Sequence, residues 1–241
     1  MRRVIPGAAR GVVNYDEAIQ ELERFVAAEF ARRDIKSMLD AGCGDALPFA
    51  FRPGVRIVGL DASPEALARN EYIESGIVGD IETYPLPPAE FDAVLCWTVL
   101  EHLSNPRVAV ANMARALRPE GLLIVGVPNL WSLKGLLTKL TPHPFHVWAY
   151  RHIWGFTEAG TPGFGPYRTH LRRDIAPDRL AEVARDVGLE RIYESTYGLE
   201  PRLPSPLNVL WSAATTLGRI ATLGNWKPRA SEHAAVFRRL P

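Results

Sequence analysis

The sequence predicts an α/β domain built on a doubly wound, mostly parallel sheet of seven strands, and three observations predict it. Short apolar runs rich in β-branched residues alternate with segments of helical period. Acidic residues stand at the carboxyl ends of three successive runs, and a pair of glycines follows the first of them. Strands that alternate with helices form a parallel sheet covered on both faces.

The elements follow in order. From Tyr15 to Arg33, Ala18, Leu22, Phe25, Val26 and Phe30 recur at three-to-four spacing, which predicts a helix with one buried face. Residues 37–40, 55–61, 76–81, 91–98 and 122–127 read as strands. Ser63-Pro64-Glu65 supplies a cap, a first-turn proline and a first-turn acid to a helix that continues with Ala66, Leu67 and Ala68. Another helix is expected over 106–117. Residues 130–175 form an insertion too long for a connector, expected to be a lid that sets substrate specificity. It holds an amphipathic piece from Trp131 to Leu140 and a glycine and proline stretch over 160–166. A helix resumes near Pro177 and stops at Gly188, followed by strands at 189–195 and 233–238. Between those strands, 200–225 is a second amphipathic insertion whose apolar stripe is expected to cover the sheet. The whole chain, 1–241, reads as one domain with these insertions.

Composition narrows the function classes. Twenty-eight basic against 27 acidic residues give a net charge of +1, too even to hold a polyphosphate, so no nucleic-acid partner is expected. Cys43 and Cys96, the two cysteines, lie in apolar runs, as reduced thiols do, and point to a cytoplasmic protein. No stretch is apolar enough for a transmembrane span. Peripheral membrane contact through 200–225 is the less favoured reading, because the polar face of that stripe is short of Lys and Arg.

The chemistry concentrates at Leu39-Asp40-Ala41-Gly42-Cys43-Gly44-Asp45-Ala46, where the first sheet strand ends. Glycines there let the backbone turn sharply and approach a ligand without a Cβ collision. Asp61 ends the next strand, placed to accept hydrogen bonds from two ribose hydroxyls, and Gly79-Asp80-Ile81 ends the third, within reach of an adenine amine. A nicotinamide-dependent dehydrogenase shares the glycine pair and the later acid. Against it, Leu47 stands where such a site needs Gly or Ala, and no second mononucleotide-binding half follows.

These residues, with Phe91-Asp92-Ala93-Val94-Leu95-Cys96, Leu100-Glu101-His102-Leu103 and Leu117-Arg118-Pro119-Glu120-Gly121, make the chain similar to class I S-adenosylmethionine-dependent methyltransferases. The small-molecule group with the ubiquinone-type O-methyltransferases is the nearest likeness. The resemblance implies a Rossmann-like methyltransferase fold with an antiparallel final strand. It also implies S-adenosyl-L-methionine as cofactor, with Asp40, Gly42 and Gly44 at its methionine end, Asp61 on the ribose, and Asp80 and Ile81 at adenine. The adjoining Cys43, Ala62, Cys96 and Trp97 are grouped with the same site. The expected reaction is methyl transfer to a small-molecule acceptor, foremost a hydroxyl oxygen. An N- or C-methyltransferase and a non-catalytic cofactor-binding regulator are the alternatives.

The resemblance places His102 beside the transferred methyl, so His102, or failing it His146 on the lid, is the candidate general base. The ordinary reading of Glu101 is a cap or packing residue. Some ubiquinone-type relatives hold a divalent ion near this motif, but Thr98 stands where their first acid falls, so no metal is expected. His143, His146 and His152 fit no common zinc spacing. Trp131, Phe145, Trp148 and Tyr150 either pack the lid or stack on the acceptor.

Overall fold

A computed structural model describes residues 13–48, 54–161, 164–198 and 203–241. Parts of the 160–166 and 200–225 stretches fall outside the described residues.

The first helix, α1 (Tyr15–Arg33), has the bounds its periodicity predicts and is held at both ends. Asn14 caps it by accepting from the Glu17 amide, and Asp34 closes it in the left-handed region at φ 54°. Asp16 and Glu17 sit at the positive end of its dipole and Arg32 and Arg33 at the negative end. Ala18, Leu22, Val26 and Phe30 are buried against the sheet.

Seven strands of that sheet match the seven expected: β2 (Ser37–Ala41), β3 (Arg56–Asp61), β4 (Ser75–Val78), β5 (Phe91–Trp97), β6 (Leu117–Pro128), β7 (Leu189–Gly198) and β8 (Glu232–Arg239). A two-residue strand, β1 (Val13–Asn14), adds to the edge, giving the order β1-β7-β8-β6-β5-β2-β3-β4. Pairing is parallel from β6 through β4, whereas β8 runs antiparallel to both β6 and β7. The third strand ends at Val78, earlier than expected, so Asp80 and Ile81 lie in the turn beyond it.

Alternation along the strands builds two cores. Met38, Ala93, Leu95, Leu122 and Ile124 face α1, while Leu39, Val94, Cys96, Leu123 and Val125 face the opposite side. On that side lie α3 (Pro106–Ala116) and α6 (Pro177–Asp186), each with proline in its first turn. The short α2 (Pro64–Arg69) is capped by Ser63, whose hydroxyl accepts from the Ala66 amide, as the Ser-Pro-Glu sequence predicts.

After β2 the chain builds β3 and β4 on one side and returns to build β5 and β6 on the other. The crevice outside the carboxyl end of β2 is therefore the topological switch point, where ligands bind in such sheets.

Two later segments were only partly foreseen. The 130–175 insertion contains α4 (Leu133–Leu140), capped by Ser132, and α5 (His143–His152), with Pro144 in its first turn. The 200–225 segment contains α7 (Ser205–Ala221), and here the structure corrects the expectation that it covers the sheet. Only Trp211 and Thr215 of that helix are buried, and its apolar stripe faces outward.

Candidate functional site

The loop after β2 is shaped by contacts that only glycine permits at one position. Gly42 takes φ +80°, and a Cβ there would stand 2.3 Å from Cγ2 of Val99, on the loop after β5. The Gly42 amide donates to the Leu60 carbonyl at 2.6 Å. Gly44 is also left-handed, at φ +52°, with open space where a Cβ would sit. Asp61, at the end of β3, ties this loop down: its Oδ2 accepts from the Gly44 amide at 2.9 Å, and its Oδ1 from the Ser63 amide at 2.8 Å. The Asn70 amide group completes the tether by donating to the Gly44 carbonyl at 3.0 Å.

Asp40 lies beneath this turn and is almost fully buried, with no partner for Oδ2. Burial, helped by the Asp61 charge, pushes its carboxyl up to about 7. An unsatisfied buried carboxylate at a strand end is a costly feature that a cationic ligand group would relieve. Asp80 is exposed in the turn after β4, where its Oδ1 accepts from the Glu82 amide at 2.8 Å, and Ile81 is buried beside it. Ala62 is exposed next to Asp61.

Both sulfurs are buried. Cys43 is buried where a Cβ on Gly59 would meet its Sγ at 2.7 Å, and burial pushes its thiol up to about 12. Cys96 is fully enclosed in the core, so its main chain rather than its sulfur is what it can offer a ligand. Trp97, half-buried, turns the other way and lays its ring over Gly126, whose Cβ would stand 2.5 Å from the indole.

At the end of β5 the backbone is strained. Thr98 is β-branched yet sits at φ 54°, with its amide bonded to the Gly126 carbonyl at 2.9 Å. This turn leads into a short 3₁₀ segment, Leu100–His102, that presents the Glu-His pair. His102 Nδ1 lies 2.9 Å from the Arg168 carbonyl. A carbonyl only accepts, so Nδ1 carries the proton and Nε2 keeps its lone pair. Burial lowers the His102 pKa from its ordinary value, which favours this neutral form near pH 7.

Glu101 is buried, with Oε2 unpartnered and its carboxyl pushed up to about 8, chiefly by burial. Its main-chain carbonyl accepts from the amides of His170 at 2.7 Å and Leu171 at 3.1 Å. Together with the His102 bond, this fastens residues 168–171 to the turn after β5.

That strap, residues 164–172, carries the site residues that periodicity could not reveal. Tyr167 stands edge-on to His102, with centroids 5.9 Å apart, and burial first, then the Asp61 and Asp45 carboxylates, raise its hydroxyl pKa above the ordinary value. Phe164 lies under the Arg69 guanidinium at 5.4 Å, and Arg69 also pairs with Asp45 at 3.1 Å. The strap thus reaches from the turn holding His102 across to α2. Only the Gly160–Pro166 stretch hinted at it.

The three histidines of α5, His143, His146 and His152, are bonded within the 130–175 segment. His146 Nε2 meets the Thr141 hydroxyl at 2.6 Å, and that hydroxyl donates to the Leu137 carbonyl, so Nε2 acts as a donor. His143 Nε2 bonds the Pro166 carbonyl at 2.9 Å, and His152 Nδ1 the Trp148 carbonyl. No group of three or more His, Cys, Asp or Glu side chains is arranged to hold a metal among the described residues.

Comparison with known proteins agrees with this geometry. Residues 39–125 match the methyltransferase-domain family. The ubiquinone biosynthesis O-methyltransferase of Thiobacillus denitrificans is 32% identical over 165 residues, 64% of this chain and 65% of that protein. The chain spans less than two thirds of the length of the curated relatives it matches. Among solved structures, the N-methyltransferase NodS of Bradyrhizobium japonicum in complex with S-adenosyl-L-homocysteine superposes with a TM-score of 0.53 at 16% identity, covering 94% of this chain and 88% of its own. The [4+2]-cyclase SpnF superposes at 0.55 with 17% identity, covering 100% and 87%. At such identities these two likenesses speak to fold alone, and the pair shows one fold under two chemistries. The domain match spans the glycine loop and β2–β6, so residues 39–125 are similar to the methyltransferase-domain family, and the sheet shares the fold of its structural neighbours.

Proposed function

We propose that this protein transfers the methyl group of S-adenosylmethionine to a hydroxyl oxygen of a small molecule. The observation that carries the reading is the tautomer of His102: Nδ1–H is committed to the Arg168 carbonyl, which leaves Nε2 as a neutral, partly buried base. A hydroxyl, unlike an amine, must lose a proton to react well, and a base so held is suited to take it.

The residues present fit the cofactor. Asp40 offers a buried, unpaired carboxylate to an ammonium, the open face of Gly44 gives backbone access, and Asp61 offers its remaining lone pairs to ribose hydroxyls. When bound, the cofactor supplies a sulfonium-activated methyl, displaced in line by the acceptor. The protein's part is alignment, a contribution that reaches roughly 7–11 kcal/mol in well-oriented reactions. Tyr167 on the strap stands edge-on to His102 and borders the proposed acceptor position.

The test is turnover: purified protein, labelled S-adenosylmethionine and a panel of phenols, alcohols and amines, with S-adenosylhomocysteine release and product mass as readouts. Methylated hydroxyl products support the reading. Amine-only methylation replaces it with an N-methyltransferase, and cofactor binding without turnover on any acceptor class replaces it with a regulatory binder.

A further inference from the structure

We infer that the face built by α4, α5 and α7 docks on an anionic lipid surface. Its apolar side chains point outward instead of into the fold. On α7, Leu207, Val209, Leu210, Leu217 and Ile220 are 40–66% exposed, and Leu223 just beyond it is 92% exposed. On the lid, Trp131, Leu140, Phe145 and Trp148 are exposed as well. Isolated exposed apolar residues are ordinary, but a contiguous patch of this kind marks an interaction surface.

Contiguity is shown by contacts. Gly218 of α7 packs on the Trp226 ring, and Trp226 Nε1 donates to the Trp131 carbonyl at 2.5 Å. The Leu133 amide at the start of α4 donates to the Pro228 carbonyl at 2.9 Å. His146 of α5 bonds back to Thr141 at the end of α4. The three helices are therefore neighbours, joined through these contacts.

Charge decides what that surface fits. The chain has 27 acidic residues, yet none lies between Glu120 and Glu158 or between Glu200 and Glu232, the two segments that supply the face. Lys139, Arg219 and Lys227 stand exposed along it. A two-fold contact between copies would bring this patch against itself and set cation against cation with no acid to answer. A headgroup layer with negative charge accepts all three cations, while Leu, Trp and Phe enter the acyl boundary. No helix among the described residues is long and apolar enough to cross a membrane, so the contact would be interfacial.

The experiment is co-sedimentation of the full chain with vesicles of phosphatidylcholine containing about one third phosphatidylglycerol. Wild type should pellet with these vesicles, and at least about tenfold less with phosphatidylcholine alone. The exposed double substitution Val209→Glu/Leu217→Glu should lower partitioning by about tenfold or more, and Val209→Ser/Leu217→Ser by a smaller factor, with melting temperature and S-adenosylhomocysteine affinity unchanged. Sedimentation velocity without lipid should show a monomer. No pelleting, equal pelleting of wild type and the glutamate variant, equal binding to neutral vesicles, or a dimer that the substitutions dissociate would each overturn the inference.

Discussion

Asp40 makes cofactor binding a titration. Its free carboxyl titrates near about 7, because burial and then the charge of Asp61 raise it from 3.8. In the proposed site it meets the ammonium of the cofactor's methionine end, which favours the carboxylate and pulls its pKa down. Binding at about pH 6 should then release close to one proton, and at about pH 8 almost none. Linkage over that range strengthens affinity for S-adenosylhomocysteine by about thirtyfold between about pH 5.5 and about pH 8, roughly 2 kcal/mol. Titration calorimetry in two buffers of different ionisation enthalpy measures the affinity and the proton release together. Asp40→Asn should lose both the pH slope and the release. For the ligand-free protein the sign is the reverse of the usual acid: the stability contributed by protonated Asp40 is complete below about pH 3.8 and is lost as pH rises towards about 7. Affinity that stays flat with pH, or a slope that survives in Asp40→Asn, would refute the assignment.

Three further outcomes are expected. Asp61→Ala should weaken S-adenosylhomocysteine binding by at least about 1–3 kcal/mol by calorimetry, and should also lower the melting temperature, since the Gly44 and Ser63 amides lose their acceptor. His102→Gln should lower kcat by about 10²–10⁴-fold with cofactor affinity nearly unchanged, while His146→Gln, whose Nε2 is spent on Thr141, should leave kcat within a few-fold; the opposite ranking moves the base to the lid. Activity should survive EDTA, because Thr98 offers no carboxylate beside the Glu-His turn, and loss of turnover restored by magnesium or zinc would show otherwise.

The cofactor half was legible because its signals are local. The bounds of α1, the Ser63 cap of α2 and the alternation that sorts Met38 from Leu39 follow from period, caps and pleat. Gly42 could be singled out from sequence, but the reason became visible only where Val99, 57 positions later, occupies the space a Cβ would need. The strap was not legible, since Tyr167, Arg168 and His170 have no periodicity and take their meaning from long-range contacts with His102 and Glu101.

The stripe of α7 marks where the two kinds of information part. Because hydrophobic period and turn chemistry act over a few residues, sequence alone determined the sheet, its switch point and the placement of Asp40 and Asp61 at strand ends, while Asp80 proved to lie in the turn beyond its strand. The same period also declares that α7 has an apolar face, but not which way it turns, and that is set by whether another element is available to cover it. Only the tertiary structure decided that Trp211 and Thr215 turn inward while Val209 and Leu217 face out. It alone also decided which nitrogen of His102 is left free, because the carbonyl that claims Nδ1 belongs to a residue 66 positions away.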